Sequence, residues 1–234
     1  MLEKLQQYTT AFGNIVFPNG CFMCDRNLIK GEGVICTYCK ISLPKTHFQI
    51  IEENAVIKHL WGKANIVAAT AFLHFIKGSG VQEAIHQLKY KGKKQVGVVL
   101  GEWFGYDLIQ SEPYASADFL VPVPLHSARF HSRGYNQSEM IANGMSKAMN
   151  IPVEKSLLQR GVETQTQTRK HRYERFENMK DVFLHNDDEK FHNKKYLIID
   201  DVLTTGSTIA ACAEVLNLLP GAKVMVATLA FANK

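Results

Sequence analysis

From about residue 60 to residue 231 the chain alternates short apolar runs with stretches in which apolar residues recur every three or four positions. The run IVAATAFLHF (66–75) predicts a buried strand. Val81, Ala84, Ile85 and Leu88 stand at i, i+3, i+4 and i+7, the spacing of one helix face, and Val96, Val99, Leu100 and Trp103 repeat it. DFLVPVP (118–124) predicts a short strand closed by prolines. Ile141, Met145, Ala148 and Met149 predict a third helix, stopped before Pro152. YLIID (196–200) is a continuous apolar run of the kind found in a central parallel strand. Ile209, Cys212, Ala213 and Leu216 mark a fourth helix, ended by Pro220-Gly221, and KVMVATLAF (223–231) a last strand. Before all of these, residues 1 to about 17 predict a short helix whose stripe begins at Leu2 and Leu5 and which Pro18-Asn19-Gly20 breaks. Strands alternating with helices predict an α/β fold with a mostly parallel sheet flanked by helices. In such sheets ligands bind at the carboxyl ends of the strands, which puts Asp200 to Thr208 at the functional edge.

Composition changes this picture little. The 234 residues are 46% hydrophobic and 21% charged, the balance of a folded domain with room for a small additional module. A net charge of +5 permits anionic ligands without demanding them. No apolar run approaches the roughly 20 residues of a membrane span, and MLEKLQQYTTAFGNIVF lacks the apolar core of a signal peptide. The expected location is therefore the cytoplasm, where cysteines are more often metal ligands than disulfides.

The stretch LIIDDVLTTGST (197–208) carries the most chemistry. A strand, a Thr/Gly/Ser turn and a helix start form an anion-binding geometry, because backbone N–H groups and the helix dipole point at the ligand. Gly206 lets the backbone approach closely, and Thr204, Thr205, Ser207 and Thr208 add hydroxyl donors. Asp200 and Asp201 would repel a bare phosphate. They suit a ligand that also carries hydroxyls, since carboxylates accept from a diol and a metal ion can offset the charge. A ribose 5-phosphate satisfies both halves, with its phosphate in the turn and its diol on the acids. The same string resembles the phosphoribosyl-pyrophosphate signature of type I phosphoribosyltransferases, an apolar strand and two acids followed by Thr-Thr-Gly-x-Thr.

Two basic stretches stand beside it. One is PVPLHSARFHSRGYNQSEMIA (122–142), with His126, Arg129, His131 and Arg133. The other is RGVETQTQTRKHRYERFENM (160–179), with Arg160, Arg169, Lys170, Arg172 and Arg175. A departing diphosphate needs such donors, and a basic loop can cover a site and exclude water. With LKYKGK (88–93), VPVPLHSARFHSRGYNQ (121–137), TQTQTRKHRYERFENM (164–179) and DDVLTTGST (200–208), nearly the whole chain resembles the ComF family of competence-related proteins and their gluconate-utilisation-associated relatives.

The resemblance implies a type I phosphoribosyltransferase-like fold binding Mg²⁺–phosphoribosyl pyrophosphate. Leu125, His126, Ser127, Ala128 and Arg129 would form the diphosphate loop, and residues 160 to about 175 a hood. Ser127-Ala128 depart from the family, which often carries more arginines there. Lys89 and Lys91 would approach the anion, and with Arg133, Arg169 and Arg172 they are the expected hood or DNA contacts. The expected catalytic residues are Asp201, as proton acceptor, and Arg129. The resemblance also implies a role in DNA uptake, with single-stranded DNA and a helicase as partners. The acceptor of a ribosyl phosphate is not legible.

Cys21, Cys24, Cys36 and Cys39 form C-x2-C, eleven residues and C-x2-C. Each pair can supply two thiolates to a tetrahedral zinc, and four protein ligands make such a site structural. A redox pair and an iron–sulfur site are the alternatives. Cys212 lies on a predicted buried helix face and is expected to be core. The expected organisation is an N-terminal helix and zinc ribbon over 1–58 and a phosphoribosyltransferase-like domain over 59–234.

Overall fold

The computed structural model describes residues 20–160, 183–185 and 188–232. The helix expected over 1–17, and Arg169 and Arg172 of the expected hood, lie outside the described residues. In chain order the first half contains helices α1 (Thr37–Ile41) and α2 (Ala55–Leu60), strand β1 (Ala68–His74), helices α3 (Gly80–Tyr90) and α4 (Lys94–Leu108), and strand β2 (Phe119–Pro122). Then follow α5 (Ser127–Arg133), α6 (Gln137–Met149), β3 (Leu158–Arg160), β4 (Phe183–His185), β5 (Lys195–Leu203), α7 (Ser207–Leu216) and β6 (Lys223–Phe231).

Four strands form one sheet in the order β1-β6-β5-β2, and every pairing is parallel. Its strands are apolar on both faces because both faces are covered. Leu197 and Ile199 of β5 point into one core with α3, α4 and α6, whereas Tyr196 and Ile198 point into the other with α2 and α7. The period-2 alternation of a strand thus feeds two helical layers. Both sheet edges are closed by irregular chain. Thr46 N–H donates to Phe72 O beside β1, and Glu154 N–H donates to Leu120 O beside β2. β3 and β4 pair antiparallel in a separate two-stranded ribbon.

One helix face differs from its expected position. The spacing predicts Val96, Val99, Leu100 and Trp103 as the buried stripe of α4. The structure buries Val96, Leu100, Phe104 and Leu108 together with Gly97, Gly101 and Gly105, leaving Val99 and Trp103 half-buried. Glycine carries little weight in a hydrophobic pattern, yet this glycine column lets α6 approach. A Cβ on Gly101 would lie 2.2 Å from Ile141 O, and one on Gly144 of α6 2.0 Å from Val98 O. The two backbones are in direct contact, and α6 is thereby fixed against the sheet.

The cysteine segment is not a detached bead. Cys21, Met23, Ile35, Cys36 and Cys39 belong to the same buried cluster as α3, α4 and α6. Lys93 Nζ stands 5.2 Å from the centre of the Phe22 ring in the ribbon, and Lys40 Nζ reaches back to the Trp103 ring at 5.0 Å.

Candidate functional site

β5 carries its acids out of the core at the carboxyl edge of the sheet. The strand runs on through both acids to Leu203, with Asp200 paired to Thr228 and Val202 to Ala230 of β6, so the acids stand within a strand rather than in a loop. Asp200 Oδ1 accepts from Ser138 Oγ at 2.9 Å and from Asp201 N–H at 2.9 Å. Burial, with the neighbouring Asp201 charge, pushes the Asp200 carboxyl up to about 7; the Asp201 amide, Ser138 and Lys89 oppose the shift. Asp201 Oδ1 lies 2.7 Å from Lys89 Nζ.

The turn after β5 closes on Gly206, whose φ of 79° is left-handed. A Cβ there would also lie 2.7 Å from Leu60 Cδ2. Gly206 therefore lets Thr205 and Ser207 fold tightly at the start of α7, with their hydroxyls 3.3 Å apart. Lys63 Nζ donates to Thr205 O at 2.9 Å, tying the segment after α2 to the turn. The first-turn amides of α7, which have no intrahelical partner, and the helix dipole make this end a place for an anion.

A cleft of about 920 Å³ joins these parts. Of the residues singled out from the sequence, Asp200, Asp201, Thr204, Thr208, Leu125, Arg129, Arg133, Arg160 and Lys89 line it. Thr205, Gly206 and Ser207 shape the turn without lining the cleft, and Lys91 is exposed outside it. His126, Ser127 and Ala128 also stand outside the lining. The chain becomes helical at Ser127, and His126 Nδ1 caps α5 by accepting from Ala128 N–H at 3.2 Å.

Sequence reasoning missed Ser138, Asn136 and Gln137, which also line the cleft. Asn136 caps α6 through Ser138 N–H, and its Nδ2 donates to Val123 O at 2.9 Å. Arg133 donates from Nη1 to Gln137 Oε1 at 2.7 Å. The N-cap pattern Asn-Gln-Ser before an amphipathic helix was the available signal. It marks a helix start at the sheet's ligand-binding edge.

The four cysteine sulfurs lie within 4.8 Å of one another, with Cys24 Sγ and Cys36 Sγ 3.7 Å apart. Tetrahedral zinc at Zn–S of about 2.3 Å puts sulfurs about 3.8 Å apart, so this donor set fits a zinc ion. Cys36 N–H donates to Cys21 Sγ at 3.3 Å, as suits a thiolate ligand.

A model of the phosphoribosyl transferase domain matches residues 136–234. That span contains Ser138, both acids and the glycine turn, and leaves out Lys89 and Arg129. The chain is similar to DNA utilization protein YhgH of Escherichia coli (strain K12), 25% identical over 228 residues, 91% of this chain and 96% of that protein. It is similar to Competence protein F of Haemophilus influenzae, 32% identical over 108 residues, 46% of this chain and 47% of that protein. Competence protein ComFC of Bacillus subtilis is 21% identical over 197 residues, 84% of this chain and 77% of that protein. Among the described residues no helix is long and apolar enough to cross a membrane.

Proposed function

We propose that the chain is a ComF-family protein, on its similarity to competence and DNA utilization proteins and its phosphoribosyl transferase domain match, and that its cleft binds phosphoribosyl pyrophosphate. The observation that carries this reading is the meeting of Asp200, Asp201, Thr204 and Thr208 in one cleft with Arg129. The 5-phosphate takes the amides and hydroxyls at the start of α7. The sugar diol donates to the two carboxylates. Arg129, exposed on α5 at the cleft wall, faces the diphosphate with Leu125. Mg²⁺ is a hard cation that takes substrate phosphate oxygens, so it would enter with the diphosphate while Asp200 and Asp201 take the sugar. When bound with the donor, Mg²⁺ supplies charge neutralisation to the diphosphate.

As an enzyme, the protein would transfer the ribosyl phosphate to an acceptor nucleophile and release diphosphate. Catalysis then comes from positioning and from stabilising charge as the glycosidic C–O bond breaks. Arg129 stabilises the departing diphosphate, and Asp201 is placed to take the acceptor's proton. Arg160, where the expected hood begins, lines the cleft. The ribbon within residues 1–58 holds a structural zinc and packs on the transferase-like part, 59–234. A reducing cytoplasm keeps its thiolates available.

A second reading follows from a different observation. Tyr90 is 65% exposed at the cleft lip, with Arg133 5.1 Å from its ring and Lys91, Lys93 and Lys94 close in sequence. An aromatic among cations is a stacking platform for single-stranded DNA. On this reading the protein serves DNA uptake beside a helicase partner without turnover. Measurement of diphosphate release from Mg²⁺–phosphoribosyl pyrophosphate across nucleobases, oligonucleotides and amines separates the two. Acceptor-dependent release supports transfer. No release, together with salt-sensitive oligonucleotide binding that Tyr90→Ala weakens, supports the uptake reading.

A further inference from the structure

The acid pair of the cleft already has a cation. Lys89 Nζ sits 2.7 Å from Asp201 Oδ1, and the two side chains keep only 22% and 13% of their surface exposed. Lys89 stands in the last turn of α3, which buries Val81, Ala84, Ile85 and Leu88 and so fixes where its stem begins. Its neighbours are tied down as well. The Tyr135 hydroxyl donates to Leu88 O, and the Arg133 guanidinium lies over the Tyr90 ring. The segment that makes both contacts leads directly into α6, where Ser138 donates to Asp200. One short stretch therefore holds a cation against one acid and a hydroxyl against the other.

Two adjacent carboxylates without a cation are a hard-oxygen site that attracts a divalent ion. An ammonium at hydrogen-bond distance occupies one of those oxygens. It also has three donors, so it can keep its carboxylate and still reach a ligand oxygen. We propose that Lys89 is the built-in counter-ion of the acid pair, taking the place of a divalent cation so that Asp200 and Asp201 bind sugar hydroxyls with no metal between them. The proposal rests on the sugar-phosphate reading above. It implies that magnesium, where needed, is needed by the diphosphate and not by the sugar.

The test uses full-length, zinc-loaded protein in chelator-free buffer, with ribose 5-phosphate and magnesium chloride as separate calorimetric titrants. Wild type should bind ribose 5-phosphate with an affinity that changes less than about threefold when magnesium is added. Lys89→Met should lose about tenfold or more without magnesium, as expected for a lost charge-assisted contact, and regain much of it with magnesium. Lys89→Arg should stay near wild type. Titrated alone, magnesium should bind Lys89→Met and not wild type. Magnesium-dependent sugar binding by wild type, or equal magnesium binding by wild type and Lys89→Met, overturns the proposal. Failure of wild type to bind ribose 5-phosphate in either buffer overturns the sugar-phosphate reading instead, and the magnesium titration still decides what Lys89 does. If Lys89→Met does not fold, Lys89→Gln poses the same question.

Discussion

Asp200→Asn should make the ligand-free protein more stable, increasingly so as pH rises. Burial and the Asp201 charge push the carboxyl up to about 7 in the fold from an ordinary carboxylate value of 3.8. An acid whose folded pKa is raised contributes stability below its unfolded pKa and loses it as pH climbs through the folded value. The window therefore runs from about pH 4 to about pH 7. At 1.36 kcal/mol per pKa unit, ionised Asp200 costs about 4 kcal/mol at pH 8 and under about 2 kcal/mol at pH 5. Asparagine keeps the Oδ1 that accepts from Ser138 and the Asp201 amide, and it removes the charge. Urea unfolding of wild type and Asp200→Asn at pH 5 and pH 8 measures the difference. Subtracting the two proteins cancels the pH dependence of the cysteine site. The stability gap in favour of the variant should grow by about 3 kcal/mol between the two pH values. A gap that does not widen with pH, or a variant less stable than wild type at pH 8, refutes the burial argument. The same variant should bind sugar phosphate poorly, so stability and affinity should move in opposite directions.

Three other outcomes are expected. Gly144→Ala puts a Cβ 2.0 Å from Val98 O, so overpacking should outweigh the propensity gained and destabilise the fold by about 2 kcal/mol; Lys147→Ala on the exposed side of α6 should be near neutral, and urea midpoints compare them. Chelation of zinc, or Cys36→Ser, should lower the melting temperature of the whole protein in one transition, because the cysteines share a core with α3 and α4; a separate early transition in calorimetry would contradict this. Arg129→Ala should weaken phosphoribosyl pyrophosphate by about 1.5–3 kcal/mol and leave ribose 5-phosphate nearly unchanged, as read by calorimetric titration of each.

Much of the sheet was legible because its strands are buried on both faces and read as continuous apolar runs. Residues 196–200 and 223–231 are examples, though the first strand runs on past its apolar stretch through Asp201 to Leu203. The anion turn was legible because Gly206 and its threonines are contiguous in the chain. What was not legible depends on contacts between distant segments. Ser138 is an ordinary helix-start serine until α6 is laid against β5, 62 residues away. Lys89 looked like a cation for an anionic ligand, and the fold instead sets it on Asp201, 112 positions later in the chain by number. The glycine column of α4 hid for another reason, since a residue without a side chain leaves no trace in an apolar pattern.

The central claim is that Asp200, Asp201 and the α7 turn hold a sugar phosphate. Calorimetric titration of Mg²⁺–phosphoribosyl pyrophosphate into folded, zinc-loaded wild type and into Asp200→Asn/Asp201→Asn tests it most directly. The account expects saturable binding by wild type and its loss in the folded double variant. Equal affinity in the two proteins, or no binding by wild type, would contradict it.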